Sequence, residues 1–238
     1  MKTTTLKLAG IAALAVCASL PARAAVIVTY TSQVPSYTVS STDLLESLTP
    51  VFSAANFLGF AGESSGGIPV LTDGVSPQTI GGGQSPDLPK NATVGGVGGT
   101  QLVYNLANAS NLEALNFYFA PWSGRQNPTP IDVYTSTTLA DNTGAASWSL
   151  LISTPGYNNV DNVNSYGLGS SLASITNDAG GNIATGVQSL KFVFGTAQNG
   201  YVGLGEIDAI AAVPEPSTWA MLAFSMTTVV VLRRRRHR

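Results

Sequence analysis

Leu102-Val103-Tyr104-Asn105-Leu106 and Leu115-Asn116-Phe117-Tyr118-Phe119 are the two runs that decide the fold. In each, large apolar residues occupy alternate positions. A strand turns successive side chains to opposite faces, so this period of two marks a ribbon with one face on a core. The pattern returns in Ile131-Asp132-Val133-Tyr134, in Leu190-Lys191-Phe192-Val193-Phe194 and in Ile207-Asp208-Ala209. Val26–Tyr30, Trp148–Ile152 and Leu172–Thr176 read as further strands, the last closed by the turn residues Asn177-Asp178-Ala179-Gly180-Gly181. About eight strands without a convincing amphipathic helix predict an all-β protein, an antiparallel β-sandwich.

Between these runs the chain is punctuated for turns. Thr42-Asp43-Leu44-Leu45-Glu46 reads as a short capped helical turn or a strand end. Residues 62–100 are loop-heavy, with Gly66-Gly67, Gly81-Gly82-Gly83, Gly95-Gly96 and Gly98-Gly99 among four prolines. Within them Val70-Leu71-Thr72-Asp73-Gly74 is an apolar pair followed by a turn. No internal repeat is present.

The two ends differ from this middle. Lys2 and Lys7 precede the apolar run Leu8–Leu20, and Ala22-Arg23-Ala24 follows it. A basic start, an apolar centre and an Ala-x-Ala ending define a secretory signal peptide over residues 1–24, with cleavage expected after Ala24. At the other end, residues 213–238 run VPEPSTWAMLAFSMTTVVVLRRRRHR. The apolar span 218–232 is shorter than the roughly 20 residues of a free-standing membrane helix. The basic end 233–238 favours the cytoplasmic side. The sequence therefore divides into a signal peptide, one domain over residues 25–212 placed outside the inner membrane, and a tail.

Removing the ends changes the charge. The whole chain carries a formal −2, but most basic residues lie in the terminal segments. Residues 25–232 keep only Lys90, Arg125 and Lys191 against all 13 acidic residues, a balance of −10. Such a surface repels nucleic acid and excludes it as a partner. Anionic polymers are poor partners too, unless a divalent cation bridges the charges. The single cysteine, Cys17, falls in the signal, so the domain has no disulfide and must be held by its core, for which its length suffices. The single histidine, His237, falls in the tail. Ser-His-Asp and Cys-His catalysis are thereby excluded from the domain, as is a histidine-ligated zinc. A carboxylate pair for glycoside hydrolysis remains chemically available, although no pair stands out.

Pro214-Glu215-Pro216, followed by a short apolar span and an arginine cluster at the extreme terminus, resembles the PEP-CTERM sorting signal of exported bacterial proteins. The resemblance implies an exosortase-type processing enzyme as partner, a transient membrane anchor in the tail, and delivery to the cell surface or an exopolysaccharide matrix.

A second resemblance covers roughly residues 55–211. Four pieces are similar to the galactose-binding-like, or discoidin-like, jelly roll: Leu71-Thr72-Asp73-Gly74, Ile131–Ser136 with Ala146–Leu151, Val187–Phe194, and Gly205-Glu206-Ile207-Asp208-Ala209. The long Gly-rich stretch 75–100 departs from that family. The resemblance implies a structural calcium between Asp73 and Glu206, the only cofactor expected. An ion of that kind takes six to eight oxygens, many from backbone carbonyls. The alternative is that Asp73 caps a turn and Glu206 is a solvated strand-end charge.

A ligand face is expected on the sandwich loops. Trp122-Ser123-Gly124-Arg125, Tyr157 and Tyr166 offer aromatic rings beside polar groups, which suits a sugar's C–H face and hydroxyls. Arg125 pairing with Asp132, and Trp122 folded onto the sandwich edge, are the competing readings. Trp148 is expected in the core. The functional expectation is a non-enzymatic, exported protein that binds exopolysaccharide or another glycan through its loops. A purely structural matrix component is the alternative, and a carboxylate-dependent polysaccharide hydrolase is the third.

Overall fold

The computed structural model describes residues 25–34, 40, 42–54, 68–75, 92–95, 100–119, 130–156, 170–196 and 201–212. Within them lie nine strands: β1 (Val26–Val34), β2 (Phe52–Ala54), β3 (Ala92–Gly95), β4 (Thr100–Phe119), β5 (Ile131–Ser136), β6 (Ser149–Thr154), β7 (Ser170–Asn177), β8 (Ala184–Phe194) and β9 (Tyr201–Ala211). A single 3₁₀ turn, Ile68–Thr72, joins them. All strand pairings are antiparallel.

β4 organises the two layers. Its first half pairs with β2 on one side and β8 on the other, and β8 continues to β5 and β6. Its second half pairs with β7 and β9, which continue to β1 and β3. Between the halves the register slips at Asn105/Ser110, and Ala107-Asn108-Ala109 is exposed. Beyond the slip Ser110 and Leu112 still meet Val187 and Ala184, and from Leu112 onward the strand pairs with β9. Phe117 of the second half stands edge-on to Phe192 at 5.3 Å and to Phe194 at 6.5 Å, across the core from it. The two alternating runs therefore form one bent strand that contributes to both layers.

The alternation is realised side chain by side chain. Leu102, Tyr104, Leu106, Ile131, Val133, Leu190, Phe192 and Phe194 fill the core from one layer, and Leu115, Phe117, Phe119, Ile207 and Ala209 from the other. Each Leu, Ile, Val or Phe among them is worth about 1.5–3 kcal/mol on burial. Edge-to-face ring pairs add about 0.5–1.5 kcal/mol.

Trp148 is not in that core, which corrects the expectation. It is half-buried on the outer face, where the Lys191 ammonium lies 4.8 Å from its ring centre and 4.2 Å from that of Tyr134. The cause is the preceding loop. Asp141 Oδ1 accepts hydrogen bonds from the amides of Thr143 and Ala145, and the Trp148 indole donates to the Gly144 carbonyl at 3.1 Å. Gly144 holds φ +77°, and a Cβ there would meet the Phe52 ring at 2.9 Å. This loop is thus strapped over the outer face and takes the indole with it.

Candidate functional site

Glu206 and Asp208 stand two residues apart on β9, on the face opposite Ile207 and Ala209, and both are fully buried. Asp43 joins them from the segment after residue 42, which bridges to Ile210 along the edge of β9. One carboxylate oxygen of each lies within 4.8 Å of the others. Among the described residues the only basic side chain is Lys191, and it is engaged with Tyr134 and Trp148 on the outer face of the other layer.

Each carboxylate is tied by one oxygen. Asp43 Oδ1 accepts from the Leu45 amide at 3.0 Å and the Ala209 amide at 2.7 Å. Asp208 Oδ2 accepts from the Ser40 amide at 3.1 Å and the Tyr118 hydroxyl at 3.0 Å. Glu206 Oε1 accepts from the Gly74 amide at 3.2 Å. The second oxygens, Asp43 Oδ2, Asp208 Oδ1 and Glu206 Oε2, are buried without a hydrogen-bond partner, as is the Tyr104 hydroxyl. A buried polar atom left unpaired costs about 1–3 kcal/mol, more if charged.

Burial penalises the charged forms accordingly. It pushes Glu206 up to about 9, with the charges of Asp208, Asp73 and Asp43 adding to the effect. It pushes Asp43 up to about 6, opposed by the Leu45 and Ala209 amides. Asp208 is also raised by burial. The Tyr104 and Tyr118 phenols rise for the same first reason, with neighbouring carboxylates contributing.

These residues fit a hard divalent cation. The donor set is oxygen only, and two oxygens across a calcium ion stand about 4.6–5.2 Å apart for bonds of about 2.3–2.6 Å. Asp43, Glu206 and Asp208 would hold the ion, with Tyr104 beside them. Its charge would offset the mutual repulsion of the three carboxylates.

Of the two residues expected to ligate calcium, only Glu206 belongs to this cluster. Asp73 is exposed, and its Oδ1 accepts from the Val75 amide at 2.9 Å, so its carboxylate caps its own turn. It contributes to the cluster through the next residue, whose amide binds Glu206. Asp43 and Asp208 were not singled out by the sequence. The spacing Glu206-x-Asp208 in a strand puts two carboxylates on one face, a readable signal. Asp43 has no such signal, because only the fold brings it to β9.

Trp122, Arg125, Tyr157 and Tyr166 lie outside the described residues, as do Pro214, Glu215 and Pro216. The strand ends that flank the first four are described. Phe119, before residues 120–129, pairs with Ser171 and Leu204. Ile131, after them, pairs with Thr154 and Phe194. Phe117 packing on Phe194 brings both rows to one end of the sandwich. The strand ends at Phe119, Ile131, Thr154 and Ser171 therefore lie at the same end.

No family model matches the chain, and no curated protein does. Several solved structures are similar. The family 32 carbohydrate-binding module from Streptococcus pneumoniae EndoD aligns at 12% identity over 71% of this chain and 99% of that one, with a TM-score of 0.42. CBM32-3 from a family 31 glycoside hydrolase of Clostridium perfringens aligns at 13% identity over 75% and 96%, with a TM-score of 0.43. The CBM32 of AlyQ, in complex with 4,5-unsaturated mannuronic acid, aligns at 16% identity over 56% and 84%, with a TM-score of 0.34. The all-β antiparallel architecture rests on the strand pairing itself.

Proposed function

We propose that this chain is a non-catalytic, exported β-sandwich module that binds a neutral glycan of the cell surface or extracellular matrix through the loops at one end. The observation that supports this reading is the convergence at that end of the strand termini flanking residues 120–129 and 157–169. Those segments hold Trp122, Arg125, Tyr157 and Tyr166, rings and a donor fork suited to a pyranose. The cation held by Asp43, Glu206 and Asp208 is calcium in this reading, with a structural role. Export and exosortase-type sorting follow from the signal-like start and the Pro214-Glu215-Pro216 tail.

The hydrolase reading is weaker on geometry. Carboxyl groups of glycosidases stand about 5–5.5 Å apart in retaining enzymes and about 6.5–9.5 Å in inverting ones, with the sugar between them. In this cluster one oxygen of each carboxylate lies within 4.8 Å of the others, and Glu206 and Asp208 are fully buried, so no sugar lies between these groups.

A glycan array probed with the wild-type protein and with the Trp122→Ala/Arg125→Ala variant tests the binding claim. Binding to a neutral glycan that the double variant loses is the expected result. Silence across neutral glycans would leave the purely structural matrix role as the better account.

A further inference from the structure

The carboxylates of the acidic cluster do two jobs at once, one with each oxygen. The anchored oxygens fasten two chain segments over β9. Asp43 Oδ1 and Asp208 Oδ2 hold the segment around Ser40–Leu45, and Glu206 Oε1 holds the Asp73-Gly74 turn. The second oxygens, Asp43 Oδ2, Asp208 Oδ1 and Glu206 Oε2, are buried without a hydrogen-bond partner in a cluster whose carboxylates approach one another within 4.8 Å.

That fastening covers a strand edge. On one side, β9 pairs with β4 through residues 204–211. On the other, β3 covers only Tyr201–Leu204. Beyond Leu204 the cover is the acidic segment. The Leu44 amide donates to the Ala209 carbonyl at 2.8 Å, and the Ala209 amide donates to Asp43 Oδ1 rather than to a backbone carbonyl. A side-chain carboxylate thus completes the ladder at Ala209. An open strand edge is a template for unwanted pairing.

The two covering segments are also joined to each other. The Ser47 amide donates to the Thr72 carbonyl at 2.6 Å, and the Thr72 hydroxyl donates to the Leu48 carbonyl at 2.8 Å. Ser47 sits at φ +61°, a left-handed conformation that a non-glycine residue keeps only when its surroundings hold it there. Together they form a clasp whose pins are the three carboxylates.

We infer that divalent-cation occupancy of the Asp43–Glu206–Asp208 cluster sets whether the 42–48 and 68–75 clasp stays closed over the edge of β9. This rests on the cation reading above. Without an ion, the second oxygens of the three carboxyl groups stay buried without a partner, and the least costly relief is local. Asp43 moves away with its segment, while β4, β5, β7 and β8 keep their own pairing and core. With an ion, both oxygens of each carboxylate are satisfied and the clasp closes.

Hydrogen exchange read by mass spectrometry on the full chain in mild detergent tests this, alongside calorimetric titration with calcium chloride. Chelation with EGTA is expected to speed exchange in peptides covering 42–48, 68–75 and 204–212 by about tenfold or more, the mark of local opening. Exchange in 187–194 of β8 should not move. In Asp43→Asn, whose side chain still offers an oxygen to the Ala209 amide, calcium should neither bind tightly nor change exchange. Calcium binding that leaves exchange unchanged, or slows it equally across β8 and the clasp, overturns the gating and leaves the cation site standing. No calorimetric binding overturns the cation site and the gating with it.

Discussion

Glu206 is the residue at which burial and charge conflict most. Its carboxyl is fully buried and rises to about 9, and Asp43 beside it rises to about 6, both first by burial. In cation-free protein the folded state therefore keeps protons that the unfolded chain has released. Such groups lend full stability below the ordinary carboxylate range and lose it as pH climbs through the raised values. The melting temperature in EGTA should fall from pH 5 to pH 8 by several degrees, roughly 2–4 °C for each kcal/mol lost. Glu206→Gln should flatten that decline. Calcium, which competes with protons for the same oxygens, should reverse its sign. A melting curve in EGTA that is level across this range would show that the cluster is not as dry as its burial indicates. Of the three carboxylates, one, Glu206, was legible in the sequence. Glu206 stands in the middle of β9, in the Gly205–Ala209 run that the sequence singles out. Asp43 is invisible until the chain folds, because its partner Ala209 is far along the sequence. Asp73 stands outside the cluster, and its Oδ1 takes the Val75 amide of its own turn.

β4 shows what periodicity conveys about elements and what it omits. The alternating positions of both runs carry through to core side chains, since only those residues face inward on a pleated ribbon. Their union into one strand of 20 residues is not written in the alternation. It depends on the slip between Asn105 and Ser110, where the polar run Asn108-Ala109-Ser110 lets the ribbon turn. The short strands β2 and β3 escaped for a related reason. Three or four residues carry no period, and only their partners Gln101–Val103 and Tyr201–Leu204 make them strands. Trp148 was misplaced because a large ring in a strand passage suggests a core, while its indole N–H and the Lys191 ammonium both favour the surface. Two substitutions weigh these elements. Phe117→Ala, which empties the ring contacts to Phe192 and Phe194, should lower unfolding free energy by about 3–5 kcal/mol in urea titration. Gly144→Ala, forced into a left-handed backbone against Phe52, should lose about 1–3 kcal/mol. A Gly144→Ala protein as stable as wild type would mean the strap loop adjusts freely.

At the scale of the whole molecule, charge and address belong together. Residues 25–232 carry a −10 balance, and among the described residues the one ammonium, Lys191, is held between rings rather than displayed. No described helix is long and apolar enough to cross a membrane, and the apolar span 218–232 lies outside the described residues. If the tail is an address, replacing Pro214-Glu215-Pro216 by alanines should leave a full-length tail on protein retained in the membrane fraction. Wild-type protein from the cell surface should then lack residues beyond the tail motif by intact-mass spectrometry. An identical mass and distribution for both would remove the sorting claim.

The pairing of β1 with β7 has a consequence in time. Val26 meets Asn177, and Asp43 meets Ile210, so the earliest strands wait for almost the last ones. A chain dominated by such distant pairings must close long loops before any contact repays the lost entropy, and it folds in milliseconds to seconds rather than microseconds. The last contacts to form are then those of Leu204, Ile207 and Ala209, which complete the core only when β9 reaches β4.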